Sequence, residues 1–167
     1  MPTQEMPMQY VNRKEWGANA PLAPLLPLQH PVPFVRFTFT TRVKSCHSER
    51  KCTKRVKEIQ RIDTEERGLP DMAPNFLVGG DGYVYEGRGW RAQPEKIPNR
   101  PDLDGKFVEI CFIGDYSKRP PSNEMIRRSV VAMEIGTGHN LLDKYYDILD
   151  LGGVRYLDLG KDEPSSM

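Results

Sequence analysis

The chain has 167 residues, 38% of them apolar and 28% charged, with a formal net charge of +1. That balance excludes a disordered polyelectrolyte and gives no field strong enough to recruit nucleic acid. No apolar run approaches the ~20 residues that a membrane-spanning helix needs, so no membrane contact by this chain is expected. One domain over residues 1–167 is expected from the length, with 1–10 and 161–167 as flexible ends. Residues 1–10 also lack the charged segment and apolar stretch of a signal peptide.

In chain order, residues 1–33 read as an irregular arm. Many of the 15 prolines fall in 21–33 and 94–101, which argues against helix there. Trp16 is the residue that would anchor the arm by burial. Residues 35–41 are rich in β-branched and aromatic side chains and predict a strand. Residues 51–66 predict a helix with Val56, Ile59 and Ile62 as its apolar stripe and Gly68 as its stop. Residues 75–80 and 83–86 predict two strands joined at Asp81-Gly82, a hairpin turn signal. After a Pro-rich loop over 91–106, the apolar run 107–115 predicts a central strand. Ser122 is the expected N-cap of a helix running to about 135, with Ile126, Val130 and Met133 on its inner face and Gly136-Thr137-Gly138 ending it. Residues 145–151 predict a weak last strand. Long connections allow parallel neighbours, and the tight turn forces one antiparallel pair. The expected fold is therefore α/β, a mixed central sheet flanked by helices.

Cys46 and Cys52 are spaced to close a small loop if the second begins a helix. Two free thiols, or a metal site with neighbouring His47, are the alternatives. The disulfide is favoured because no CxxC or HxxxH pair accompanies them. A disulfide implies an oxidising compartment. Cys111, inside an apolar run, is expected to be a buried thiol.

Several segments resemble a known family. These are Arg13-Lys14-Glu15-Trp16-Gly17-Ala18, the Cys46/Cys52 pair, the long block from Asn75-Phe76-Leu77-Val78-Gly79-Gly80-Asp81-Gly82 through Tyr83-Val84-Tyr85-Glu86-Gly87-Arg88-Gly89-Trp90, and Phe112-Ile113-Gly114-Asp115-Tyr116. In this order, over residues 11–155, they resemble the peptidoglycan recognition proteins, most closely insect members. The resemblance implies the N-acetylmuramoyl-L-alanine amidase-like fold and makes Cys46–Cys52 that family's short disulfide. It also implies a zinc centre, and here the sequence departs from the pattern. The first ligand belongs in a His-His-Thr segment, which reads Thr38-Phe39-Thr40. The histidine of a Gly-His-Arg segment has no counterpart in 150–155, and no cysteine follows Cys111. The assisting tyrosine is replaced by Pro74. Without those groups neither a metal nor a general acid or base is left, so no zinc, no cofactor and no amidase activity are expected.

The groove implied by the resemblance is also altered. Its candidate positions are Thr40, Gly68, Leu69, Arg88, Trp90, Arg100 and Lys106. Gly68-Leu69 stands where diaminopimelate binders carry Gly-Trp, so an indole platform is lost. Arg100 or Lys106 would have to replace a groove arginine as a less directional charge. Tyr85 and Trp90 also read as packing residues. The resemblance implies an innate-immune receptor or regulator in an extracellular setting, secreted or as an ectodomain, with a cytosolic setting left open. Its expected partners are other receptors of the family, with weak affinity for peptidoglycan fragments. Direct sensing of diaminopimelate-type peptidoglycan, a zinc amidase with ligands relocated to His30, His47 and His139, and an assembly domain are the alternatives.

Overall fold

A computed structural model describes residues 9–149. The tail over 161–167 and the 150–155 window lie outside the described residues. Six strands form one sheet in the order β1-β4-β3-β5-β2-β6. They are β1 (Tyr10–Val11), β2 (Val32–Phe39), β3 (Phe76–Val78), β4 (Val84–Glu86), β5 (Phe107–Phe112) and β6 (Leu142–Ile148). Only β3 and β4, joined through Asp81-Gly82, pair antiparallel; every other neighbour is parallel. The mixed sheet expected from the connections is the one observed, and all six residues of β5 are buried at its centre.

The arm is more ordered than expected. Pairing with β4 already begins at Tyr10, within the stretch expected to be flexible. Helix α1 (Arg13–Trp16) follows, with a capping box between Asn12 and Glu15. Trp16 is 1% exposed and its indole N–H donates to the Glu86 carbonyl at 2.8 Å. Arg13 donates to the carbonyls of Gly87 and Asn19 and pairs with buried Asp71 at 2.9 Å. Burial and hydrogen bonding together dock the arm on the hairpin.

Helix α2 (Glu49–Arg61) starts two residues before the expected point, because Ser48 accepts the Lys51 N–H as N-cap. Cys52, Val56 and Ile59 face inward. Cys46 and Cys52 are joined as a disulfide. It lies against the hairpin so closely that a Cβ on Gly80 would meet the Cys46 carbonyl at 2.2 Å, and one on Gly79 would meet the Cys52 sulfur at 2.8 Å. The Gly-Gly pair of the hairpin block is therefore a seat for the disulfide.

Helix α3 (Asn123–Gly138) starts from Ser122 as expected but runs through Gly136-Thr137-Gly138 instead of ending there. A Cβ at Gly136 would meet the Trp90 ring at 2.4 Å, so this glycine permits close helix-to-indole contact and is not a stop signal. The buried face is Met125, Ser129, Ala132, Met133 and Gly136, while Ile126 and Val130 are only half-buried. The expected stripe was rotated because the small residues, not the branched ones, let the helix approach the sheet. Strand β6 begins three residues earlier than expected, just after a turn in which Asn140 has φ 59°.

Two apolar layers result. On one face, α3 packs on Val35, Phe76, Val78, Val108, Ile110 and Phe112. On the other, α2 and the arm cover Leu77, Tyr85, Cys111 and Ile113. The second cover leaves part of β2 and β5 open.

Candidate functional site

The uncovered part of the sheet is the floor of a cavity of about 350 Å³. Side chains alternate along a strand, and Arg36 and Thr38 on β2 stand in register with Glu109 and Cys111 on β5. All four line the cavity, with Phe39 and Thr40 at the end of β2. One wall comes from the end of α2, where Ile62–Glu66 forms a π-helical turn. The wider turn closes with the Arg67 N–H bonded to the Ile62 carbonyl, and Ile59, Ile62, Asp63 and Arg67 line the space. Irregular turns of this kind recur at functional sites. Ala73, Pro74 and Glu95 complete the lining.

Most polar groups here hold one another. Asp63 accepts from the Ala73 N–H at 2.8 Å and from Arg67 at 3.2 Å, and Arg67 also bridges to Glu95. Thr40 donates to the Val43 carbonyl and accepts the Gly114 N–H, both at 2.7 Å. At the rim, Arg42 pairs with Glu66 at 2.7 Å and holds that carboxyl below its ordinary range. Thr38 donates to Glu109 Oε2 at 2.8 Å. Burial pushes the Glu109 carboxyl above the usual carboxylate range, while Arg36 and the Thr38 bond pull it back. Burial raises Asp63 as well, and keeps the Cys111 thiol protonated.

The sequence-derived positions separate. Thr38, Phe39, Thr40 and Pro74 meet at the cavity. Leu69 and Arg88 line a second concavity of about 460 Å³, with Pro24, Leu25 and Pro94. Arg88 there donates to the carbonyls of Met72 and Gln93. Gly68, with φ 72°, is exposed at the end of the π-helical turn. Trp90 packs on Phe76 with ring centroids 5.0 Å apart. Arg100 pairs with Asp102 on an exposed 3₁₀ turn, and Lys106 is exposed before β5. His47 sits beside Gly80, His30 bonds the Trp90 carbonyl, and His139 caps α3. Arg36, Asp63, Arg67, Glu95, Glu109 and Cys111 were not singled out from the sequence as cavity residues. Glu109 and Cys111 did carry a signal: two polar-capable side chains two apart in an apolar strand, hence on one face.

The zinc centre implied by the amidase resemblance needs three nitrogen, sulfur or carboxylate donors converging on one point. At the position of the first ligand the cavity offers the Thr38 hydroxyl, which donates to Glu109, and the Phe39 ring, and Pro74 stands where the assisting tyrosine would. Among the described residues no three His, Cys, Asp or Glu are grouped to hold a metal ion. Thr38, Phe39 and Pro74 do not fit zinc, and the 150–155 window lies outside the described residues.

Residues 34–149 match the family described as N-acetylmuramoyl-L-alanine amidase. The chain is 34% identical over 142 residues to peptidoglycan-recognition protein 1 of Holotrichia diomphalia, covering 79% of this chain and 68% of that one. Its structure is similar to peptidoglycan recognition protein-LE in complex with tracheal cytotoxin, a monomeric diaminopimelic acid-type peptidoglycan, with a TM-score of 0.81, 26% identity and 93% and 94% of the two chains covered. It is also similar to the tracheal cytotoxin-bound ectodomain complex of the Drosophila proteins PGRP-LCa and PGRP-LCx, with a TM-score of 0.78, 28% identity and 84% and 82% covered.

Proposed function

We infer that this chain, which belongs to the peptidoglycan recognition protein family, is a non-catalytic member acting as a receptor or regulator of innate-immune signalling. The observation that carries the reading is the set of side chains around the cavity. Thr38, Phe39 and Pro74 stand where the family's amidases need imidazole and phenol, and Thr38 is bonded to Glu109. Neither a metal-activated water nor a positioned base can be assembled from them. The whole of 1–167 is read as one recognition domain without zinc or other cofactor. Pairing with other receptors of the family is the proposed mode of action. The likeness to an ectodomain complex of two such receptors supports it. The disulfide supports an extracellular setting.

A second reading, direct recognition of peptidoglycan fragments, is favoured by the cavity itself. A space of about 350 Å³ lined by polar and apolar groups is the size of a small-ligand site. The test combines elemental analysis, hydrolysis of muramyl peptides and co-purification with sibling receptors. The expected result is no bound zinc, no released stem peptide and a stable receptor pair. Stoichiometric zinc with hydrolysis overturns the non-catalytic reading, and failure to associate with any sibling removes the pairing.

A further inference from the structure

We propose that Glu109 makes the floor of the cavity a binding subsite for a primary amine, so that the groove selects ligands ending in an ammonium group. The inference rests on the second reading above, direct recognition through the groove. Glu109 is 6% exposed, on a strand in which every residue is buried, yet it lines the cavity. A carboxyl in such a place is costly unless it is paired and hydrogen-bonded. The other two acids of the cavity, Asp63 and Glu95, are both held by Arg67. Among the described residues Glu109 has the Thr38 hydroxyl on one oxygen and no ion pair. Arg36 stands opposite it in register and acts on it through its field.

The chemistry left over is that of an acceptor set. The second Glu109 oxygen is free of hydrogen bonds among the described residues, and the Thr38 oxygen, having donated its proton, can still accept. An ammonium carries three donors and one positive charge, which matches two acceptors and one carboxylate. Glu109 also leaves a signature. The groups facing it are Arg36 and Thr38 from β2, Cys111 from β5, Asp63 and Arg67 from the π-helical turn, and Glu95 from the loop. Burial favours the protonated acid; an arriving ammonium favours the carboxylate. Each amine bound to a protonated Glu109 therefore sends one proton to solvent, with no other bond made or broken.

The experiment is calorimetry of the full chain with a lysine-type muramyl tripeptide, the same tripeptide acetylated on its side-chain nitrogen, and lysine amide as a minimal amine. Each is titrated into the native protein and Glu109→Gln. Gln keeps the acceptor for Thr38, and the thermal midpoint of the variant reports whether the fold survives. The expected result is that acetylation weakens native binding about tenfold or more, as loss of a charge-assisted contact does. Glu109→Gln should bind the free and acetylated ligands alike, and the buffer-dependent proton heat should vanish with it. Lysine amide binding that depends on Glu109, without binding of either muramyl peptide, keeps the amine subsite and ends the peptidoglycan reading. Muramyl peptide binding indifferent to acetylation, or discrimination that persists in Glu109→Gln, overturns the subsite and leaves the peptidoglycan reading standing. No heat with any of the three overturns the subsite too.

Discussion

The two faces of the sheet are built to different rules. On the α3 side the strands present Val35, Phe76, Val78, Val108, Ile110 and Phe112, and a helix covers them with small residues that let it come close. On the α2 side β2 and β5 present Arg36, Thr38 and Glu109, and the helix stops short of them. One side of β5 is therefore committed to packing, while part of the other lines the cavity. Moving one residue along the strand changes which of the two a side chain serves.

The sharpest test of that division is Phe112→Ala, at a fully buried position of the α3 side. Truncation of a buried phenylalanine costs about 3–5 kcal/mol, and the loss should appear in urea unfolding as a lower midpoint with an unchanged slope. A loss within about 0.5 kcal/mol, the scale of surface changes, would break the comparison. Gly136→Ala comes next. Alanine is the better helix former by about 1 kcal/mol, yet its Cβ would sit 2.4 Å from the Trp90 ring and 3.2 Å from Leu142. Overpacking of about 1–3 kcal/mol should outweigh the propensity gain, leaving a net destabilisation. A stabilised variant would show that the indole moves aside.

The smallest effect belongs to the cavity side and shows only as a function of pH. Burial raises the Glu109 carboxyl, so the folded state holds that proton more tightly than the unfolded one. Stability from this group is fully present below its unfolded range and is lost as pH rises through the window up to its folded value. Asp63, also raised by burial, adds in the same direction. Glu109→Gln should flatten part of the decline in denaturation midpoint across that window. An unchanged pH profile would mean that the carboxyl is better solvated than its burial implies.

What was legible in the sequence follows the same division. The hairpin could be read because Asp81-Gly82 dictates its turn locally, and the Cys46–Cys52 loop because its spacing is short. The start of α3 could be read from Ser122, but of its expected inner face only Met133 is buried. Ser129, Ala132 and Gly136 are chosen for closeness to a sheet that is distant in sequence, and a pattern of branched residues cannot show that. The positions at which the family's amidases carry zinc ligands were legible only through resemblance. The floor of the cavity was missed because 107–115 was read as apolar on both faces, which ignored the pair Glu109 and Cys111. Arg67 and Glu95 meet only because a π-helical turn and a distant loop converge. Arg100 has its groove role only through the resemblance, and it pairs with Asp102 two residues away.

The strand order has a mechanical side. The chain enters the sheet at β1 and the last described strand, β6, is at the opposite edge, five inter-strand gaps away, or roughly 24 Å at the usual strand spacing. Tension applied through the two ends would peel the sheet from its borders, one hydrogen bond at a time, instead of shearing many together. At the leading border the two-residue β1 offers almost no resistance. The load passes to the guanidinium of Arg13 and the indole of Trp16, which grip Gly87 and Glu86. Those two side chains pass the load to the end of β4, so the arm and the hairpin carry strain together.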